Sequence, residues 1–198
     1  GDDWEATREA LEKFIMTKIH RKAFCATEEE RRADAHLDRR IRLLQFLQFR
    51  HLDIAESGRE HGPSWDFAMT ELRKINQYKT PRDKLVCIVN CCRVLASLLA
   101  STRGEDSPPG ADELLPAIIY VVLRANPPHL HSNLNFIAQF RCPGKLVSEP
   151  GYFFTHVLSA VAFLESLDAD SLSLTEREFV EGVRRSAEKN GLDAREVL

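Results

Sequence analysis

The 198-residue chain carries 27 Lys and Arg against 30 Asp and Glu, a net charge of −3. That balance lacks the basic footprint of a nucleic-acid binder and the polybasic run of a lipid-binding surface. Its 43% hydrophobic content is enough for one large core, so one domain or two tightly fused ones are expected.

The opening residues GDDWEATREA are acidic and polar, and no signal peptide is expected there. Trp4, Leu11, Ile15 and Ile19 share one stripe at helical spacing, with Phe14 beside it. EEERRADAHLDRR (28–40) interleaves basic and acidic residues and reads as a solvated face. It leads into Leu37, Ile41, Leu44 and Leu47, a second amphipathic helix. ESGREHGPS (56–64) is a loop by composition. Ser64 can cap the next helix, with Trp65, Met69, Leu72 and Ile75 inward.

TPRDKLVCIVNCCRVLASLLAS (80–101) opens with strong start signals. Thr80 suits the N-cap, Pro81 the first helical position, and Asp83 the positive first turn. The segment is apolar over much of its circumference and is expected to be central. The longest apolar run in the chain is about half the roughly 20 residues a bilayer requires, so no transmembrane span is expected. TRGEDSPPGA (102–111) is a loop. The apolar run Leu114–Leu123 follows, interrupted by Pro116 and the Tyr120 hydroxyl, with Asp112 at its mouth. AIIYVVL has the composition of a buried strand. No partner strand is evident, so a buried helix ending at Asn126-Pro127-Pro128 is preferred.

LHSNLNFIAQFR (130–141) reads as a short amphipathic helix, RCPGKLVSEPG (141–151) as a loop, and YFFTHVLSAVAFLESL (152–167) as a long helix. Thr175 and Glu178 form a capping box for the last helix, which Asn190-Gly191 ends.

The helix from Tyr152 has two faces. Phe153, Val157, Ala160, Val161 and Leu164 form an apolar strip widened by Phe154 and Leu158. Tyr152, Thr155, Ser159, Ala162 and Ser166 form a strip of hydroxyls and small groups, readable either as a solvent face or as one wall of a docking groove. Asp112 is likewise either an N-cap or a functional acid. As a cap it would place Pro116 four residues on, where proline cannot donate to the Asp112 carbonyl.

Motifs for covalent or cofactor chemistry are missing. There is no GxxxxGK[ST], GxGxxG after a strand, HExxH or GxSxG. An odd cysteine count, Cys25, Cys87, Cys91, Cys92 and Cys142, argues for reduced thiols in the cytosol. Cys87, Cys91 and Cys92 read as buried structural thiols, and His129-Leu130-His131 as loop polarity. No metal and no cofactor are expected.

Three segments together resemble the vacuolar-protein-sorting-nine (Vps-nine) domain family: D-E-x-x-P, Y-V-V-L-x-A-N-P-P, and G-Y-x-x-T followed by S-A-V-A-F, all between about Thr80 and Phe179. HLDI (51–54) and ELRKINQYKTPRDKLVCIVNCC (71–92) resemble the helical bundle that precedes that domain. The resemblance implies an all-α fold, with a helical bundle at 1–79 packed on a layered Vps-nine domain at 80–198.

It also implies a guanine-nucleotide exchange factor for Rab-five-subfamily small GTPases, cytoplasmic and recruited to early endosomes. Such a factor accelerates nucleotide release without covalent chemistry, nucleic acid or membrane insertion. In the family an acid at one helix entrance reaches into the GTPase nucleotide site; Asp112 matches it, with Pro116 one turn on. Tyr152 and Thr155 match the switch-binding positions, and Ser159 and Ala162 would admit switch side chains. The sequence departs from the family pattern at the loop before Tyr152 and at Phe153. A helical adaptor that binds a GTPase or another trafficking partner without speeding exchange is the competing expectation.

Overall fold

The computed structural model describes residues 2–55, 62–103 and 109–198. It is all-α: eight α-helices joined by short 3₁₀ turns, with no strand among the described residues. The helices are α1 (Asp2–Ala23), α2 (Glu28–Leu43), α3 (Gly62–Arg73), α4 (Pro81–Arg103), α5 (Ala111–Ala125), α6 (Leu130–Phe140), α7 (Ser148–Ser166) and α8 (Glu176–Asn190).

Helix α4 is the hub, packing on α3, α5, α6 and α7. Its start follows the sequence signals: the Asp83 amide donates to Thr80 Oγ1 at 3.1 Å and the Lys84 amide to the Thr80 carbonyl at 3.1 Å. By length and by the apolar stretch within it, whose mean hydropathy is 1.8, α4 passes the composition test for a membrane-crossing helix. Run length misses this, because Asn90 and Arg93 interrupt the apolar stretch without lowering its average far. In this fold the apolarity serves the core, where Ile88, Cys92 and Leu95 are fully buried. Cys87 and Cys91 are buried as well, and all five cysteines are free thiols. AIIYVVL is helical, and α5 sits against α3, α4 and α7 with Ala117, Val121, Val122 and Leu123 fully buried.

Helix α1 corrects the sequence reading. The stripe Trp4, Leu11, Ile15 and Ile19 is exposed, and Phe14 with it. The face toward the body is Glu5, Glu9, Glu12 and Met16, also at helical spacing. Arg141, 7% exposed, donates to Glu9 at 2.8 Å and Glu12 at 2.8 Å, and Lys145 pairs with Glu5 at 2.6 Å. Burial pulls the Arg141 pKa down, but its hydrogen bonds to the Glu9 and Glu12 carboxylates outweigh that and hold it above the usual value. This helix is therefore held by charge, where hydrophobic spacing pointed to the opposite face.

The charged stretch 28–40 is not wholly solvated either. Asp34 and Arg40 are buried. Arg40 donates from Nε to the Leu164 carbonyl at 2.8 Å and from Nη2 to the Leu167 carbonyl, which caps the negative end of α7. Three helix starts also move. Helix α3 begins at Gly62, so Ser64 lies inside it; residues 56–61 of the preceding loop lie outside the described residues. Helix α7 begins at Ser148, so the apparent loop SEPG is its first turn; Pro150 fits there because that turn's amides have no intrahelical acceptor. Helix α5 is capped at Gly110, not Asp112. At the C-terminal end the capping box of Thr175 and Glu178 and the left-handed Gly191 bound α8 as the sequence indicates.

Candidate functional site

Helices α5 and α7 lie side by side and carry the candidate exchange-site residues Asp112, Pro116, Tyr152, Thr155, Ser159 and Ala162. Asp112 is the second residue of α5 and is exposed. The box at this end is formed by Glu113, whose carboxylate accepts from the Gly110 amide at 3.2 Å. Asp112 is thereby left out of the capping. Among the described residues no donor engages its side chain. The carboxylate folds back over Gly110, where an added Cβ would collide with Asp112 Oδ1. Pro116, one turn on, is half-buried and supplies no amide, so the Asp112 carbonyl lacks its usual intrahelical donor.

The other end of α5 is clamped. Arg73 donates from Nε to the Ala125 carbonyl at 3.0 Å and from Nη2 to the Arg124 carbonyl at 2.9 Å. Arg124 reaches the Gln45 carbonyl at 2.8 Å, and Gln45 returns a bond to the Leu123 carbonyl. Asn126, in the left-handed region at φ 35°, closes the helix and donates to Asp38 at 2.7 Å. Tyr120 stacks on Phe49 at 4.1 Å between ring centroids. The helix is held at its C-terminus by these bonds and presents at its N-terminus an acid with no side-chain partner among the described residues. Asn126 was read from the sequence as the helix end, but Arg73, Arg124 and Gln45 were not singled out. The bonded pairs are 51 to 88 positions apart along the chain, and no local pattern marks these pairings.

On α7 the strip Tyr152, Thr155, Ser159, Ala162 and Ser166 is exposed throughout. Its opposite face, Phe153, Phe154, Val157, Ala160, Val161 and Leu164, is buried. Leu158 does not extend that buried strip: it is 40% exposed and lines, with Ala162, Leu134 and Ala138, a shallow depression of about 240 Å³ between α6 and α7. Tyr152 is 43% exposed, its ring is 4.1 Å from that of His156, and its hydroxyl has no partner among the described residues. Thr155 Oγ1 donates to the Gly151 carbonyl at 2.9 Å and keeps lone pairs free. Gly151 is required next to Tyr152, because a Cβ there would strike the Leu146 carbonyl. Arg93 fixes the start of α7 through a two-pronged pair with Glu149, 3.1 Å at Nε; that hydrogen bond holds the Glu149 carboxyl below its ordinary range.

The profile of the vacuolar sorting protein 9 (VPS9) domain matches residues 65–169, from α3 through α7. The chain belongs to the VPS9 domain family. Among curated proteins, vacuolar protein sorting-associated protein 9A of Arabidopsis thaliana is 45% identical over 197 residues, which covers 98% of this chain and 38% of that protein. Its rice namesake is 47% identical over 181 residues, with 90% and 38% covered. The Rab5 GDP/GTP exchange factor of Homo sapiens is 36% identical over 179 residues, with 88% and 36% covered. The chain thus spans less than two-fifths of the length of these relatives. The VPS9 match includes both α5 and α7, the two helices that carry the exposed acid and the polar strip.

Proposed function

We propose that this VPS9 chain is a guanine-nucleotide exchange factor for a Rab5-type GTPase, with Asp112 as its acidic finger. One observation carries the reading: a carboxylate without a described partner stands at the open end of a helix whose other end is clamped. The relative named as a Rab5 GDP/GTP exchange factor supports the choice of partner. In this reading residues 1–79 are the supporting bundle and 80–198 the exchange unit, working from the cytoplasm at early endosomes.

The physical task is to weaken a strong grip. A small GTPase holding GDP at nanomolar affinity or tighter binds it by about 12 kcal/mol or more. The P-loop lysine, backbone amides and Mg²⁺ around the β-phosphate supply much of that. An exchange factor favours the nucleotide-free form, and by linkage it and the nucleotide weaken each other equally. A carboxylate does this economically: it pairs with the lysine left by the phosphate, repels the phosphate and competes with it for the metal's surroundings.

Asp112 has a short side chain on a rigid support, so little entropy is lost in aiming it. Pro116 shapes the helix entrance and offers an apolar surface to a switch. Tyr152 gives its hydroxyl to switch backbone and its ring to an apolar contact. Thr155, one turn on, shares that face, and the small Ser159 and Ala162 admit side chains. Release needs no covalent step, and GTP reloads by mass action.

The test is release of fluorescent GDP from Rab5 with wild-type chain, Asp112→Asn and Tyr152→Ala. The Asn variant keeps size and fold and removes the charge, so most of the acceleration is lost with unchanged helicity. Tyr152→Ala lowers both the rate and the affinity for nucleotide-free Rab5. Near-full exchange by Asp112→Asn overturns the finger; binding without acceleration by the wild-type chain identifies an adaptor instead.

A further inference from the structure

We propose that Cys25, Asp34 and His129 form a zinc-binding site that ties the α1–α2 junction to the α5–α6 junction. The three residues come from separate places: two residues past α1, within α2, and the cap of α6. Their ligand atoms converge. Cys25 Sγ lies 3.6 Å from Asp34 Oδ2 and 3.7 Å from His129 Nδ1, and Nδ1 lies 3.2 Å from Oδ2. Metal–ligand lengths of about 2.3 Å to sulfur and about 2.1 Å to nitrogen or oxygen, at tetrahedral angles, require edges of about 3.4 Å between N and O and about 3.6 Å to sulfur. The three side chains already describe such a face, and one ion could meet all three with small adjustments.

The surroundings fit. Asp34 is 8% exposed and is aimed by Ser132, whose amide donates to Oδ1 at 2.9 Å and whose hydroxyl donates to Oδ2 at 2.6 Å. Cys25 and His129 both take left-handed backbone, with φ of 51° and 56°, a cost that non-glycine residues bear where the surroundings enforce it. The Cys25 carbonyl is held by Arg31 at 3.2 Å. The His129 side chain is 52% exposed, which leaves the fourth position open to water. A mixed sulfur, nitrogen and oxygen set selects a borderline ion such as Zn²⁺ over Mg²⁺ or Ca²⁺, which take oxygen ligands in higher number.

In the metal-free state the same atoms satisfy one another: the thiol and a ring N–H both face Oδ2. On binding, the thiol proton leaves as the zinc–sulfur bond forms, and a neutral His129 carries its proton on Nε2. His131, two residues on, is not a ligand; it lines the α6–α7 depression. The site sits at the clamped end of α5, away from Asp112, so it would brace the exchange helix without touching the exchange surface.

The test is calorimetric titration of Zn²⁺ into the 198-residue chain, with Co²⁺ as a spectroscopic stand-in and melting temperature as a second readout. Cys25→Ser and His129→Asn are the variants, since both residues are partly exposed and Asn tolerates the left-handed region; Cys142→Ser is the control thiol. We expect one equivalent of Zn²⁺ bound, a raised melting temperature, one proton released, and a thiolate-to-cobalt absorption band. Each ligand variant should weaken binding by at least roughly 100-fold, the upper end of the loss from removing even an outer-shell partner. Cys142→Ser should bind as wild type. Absence of saturable binding, or binding and a cobalt band retained in Cys25→Ser, overturns the site.

Discussion

Lys84 offers a sharp test of the core. It is 1% exposed, and no carboxylate pairs with it among the described residues. Its ammonium donates to the Ile75 carbonyl at 3.1 Å and to Asn133 Oδ1 at 2.6 Å, and it lies 4.5 Å from the centre of the Phe24 ring. Burial dominates and lowers its pKa from 10.5 to about 8. The unfolded chain therefore binds this proton more tightly than the folded one, so stability rises with pH between about 8 and about 10.5 and carries a constant deficit below. A gap of about 2.5 units makes that deficit roughly 3 kcal/mol near neutrality. From about pH 7 to about pH 9 it shrinks by about 1.3 kcal/mol.

Cys87 acts in the opposite sense. Burial pushes its thiol up to about 11, so it removes stability as pH rises above 9. The clean measurement is consequently the difference between wild type and Lys84→Met, by urea unfolding at several pH values. The Met side chain keeps the length and tolerates the aromatic rings. Relative to the variant, the wild type should gain about 1.3 kcal/mol between about pH 7 and about pH 9. A difference that stays flat over that range would refute the argument that Lys84 is buried as a charge against carbonyls alone.

Arg73→Ala removes two bonds from the terminal carbonyls of α5 at an exposed position; about 1 kcal/mol of stability and a fall of about 2–4 °C in melting temperature are expected, read by calorimetry. Arg141→Leu leaves Glu9 and Glu12 facing an apolar side chain at a 7% exposed position, at a cost of about 3 kcal/mol. Limited proteolysis should then cut within α1 first.

The helices were legible where caps and periodicity act locally. Thr80-Pro81, Thr175 with Glu178, and Asn190-Gly191 each depend on neighbours within four residues, and each stands as read. What was not legible is pairing at a distance. The apolar stripe of α1 pointed inward by pattern, yet Arg141, more than 120 residues on, selects the acidic face instead. SEPG looked like a loop because proline and glycine usually break helices, but a first turn tolerates both. For the candidate site, the exposed strip from Tyr152 to Ser166 was visible as a pattern on one helix. That Asp112 has no side-chain partner among the described residues was not: it rests on Glu113 taking the capping role, while Arg73 and Arg124 secure the far end.

Pro116 separates stability from function most directly. In a helix interior proline is about 3 kcal/mol worse than alanine. Here the loss is smaller, because the carbonyl deprived of a donor belongs to Asp112, an exposed residue in the first turn that water can reach. Proline also stiffens the unfolded chain, worth about 0.4–1 kcal/mol in the other direction. Pro116→Ala should thus stabilise the fold by about 1–2 kcal/mol, since the restored amide can donate to the Asp112 carbonyl. If proline is retained for the helix entrance and the switch contact, the same variant exchanges nucleotide more slowly despite its firmer fold. A variant that is both more stable and fully active would mean that Pro116 contributes nothing to the GTPase contact, and the site would shrink to Asp112 and the α7 strip.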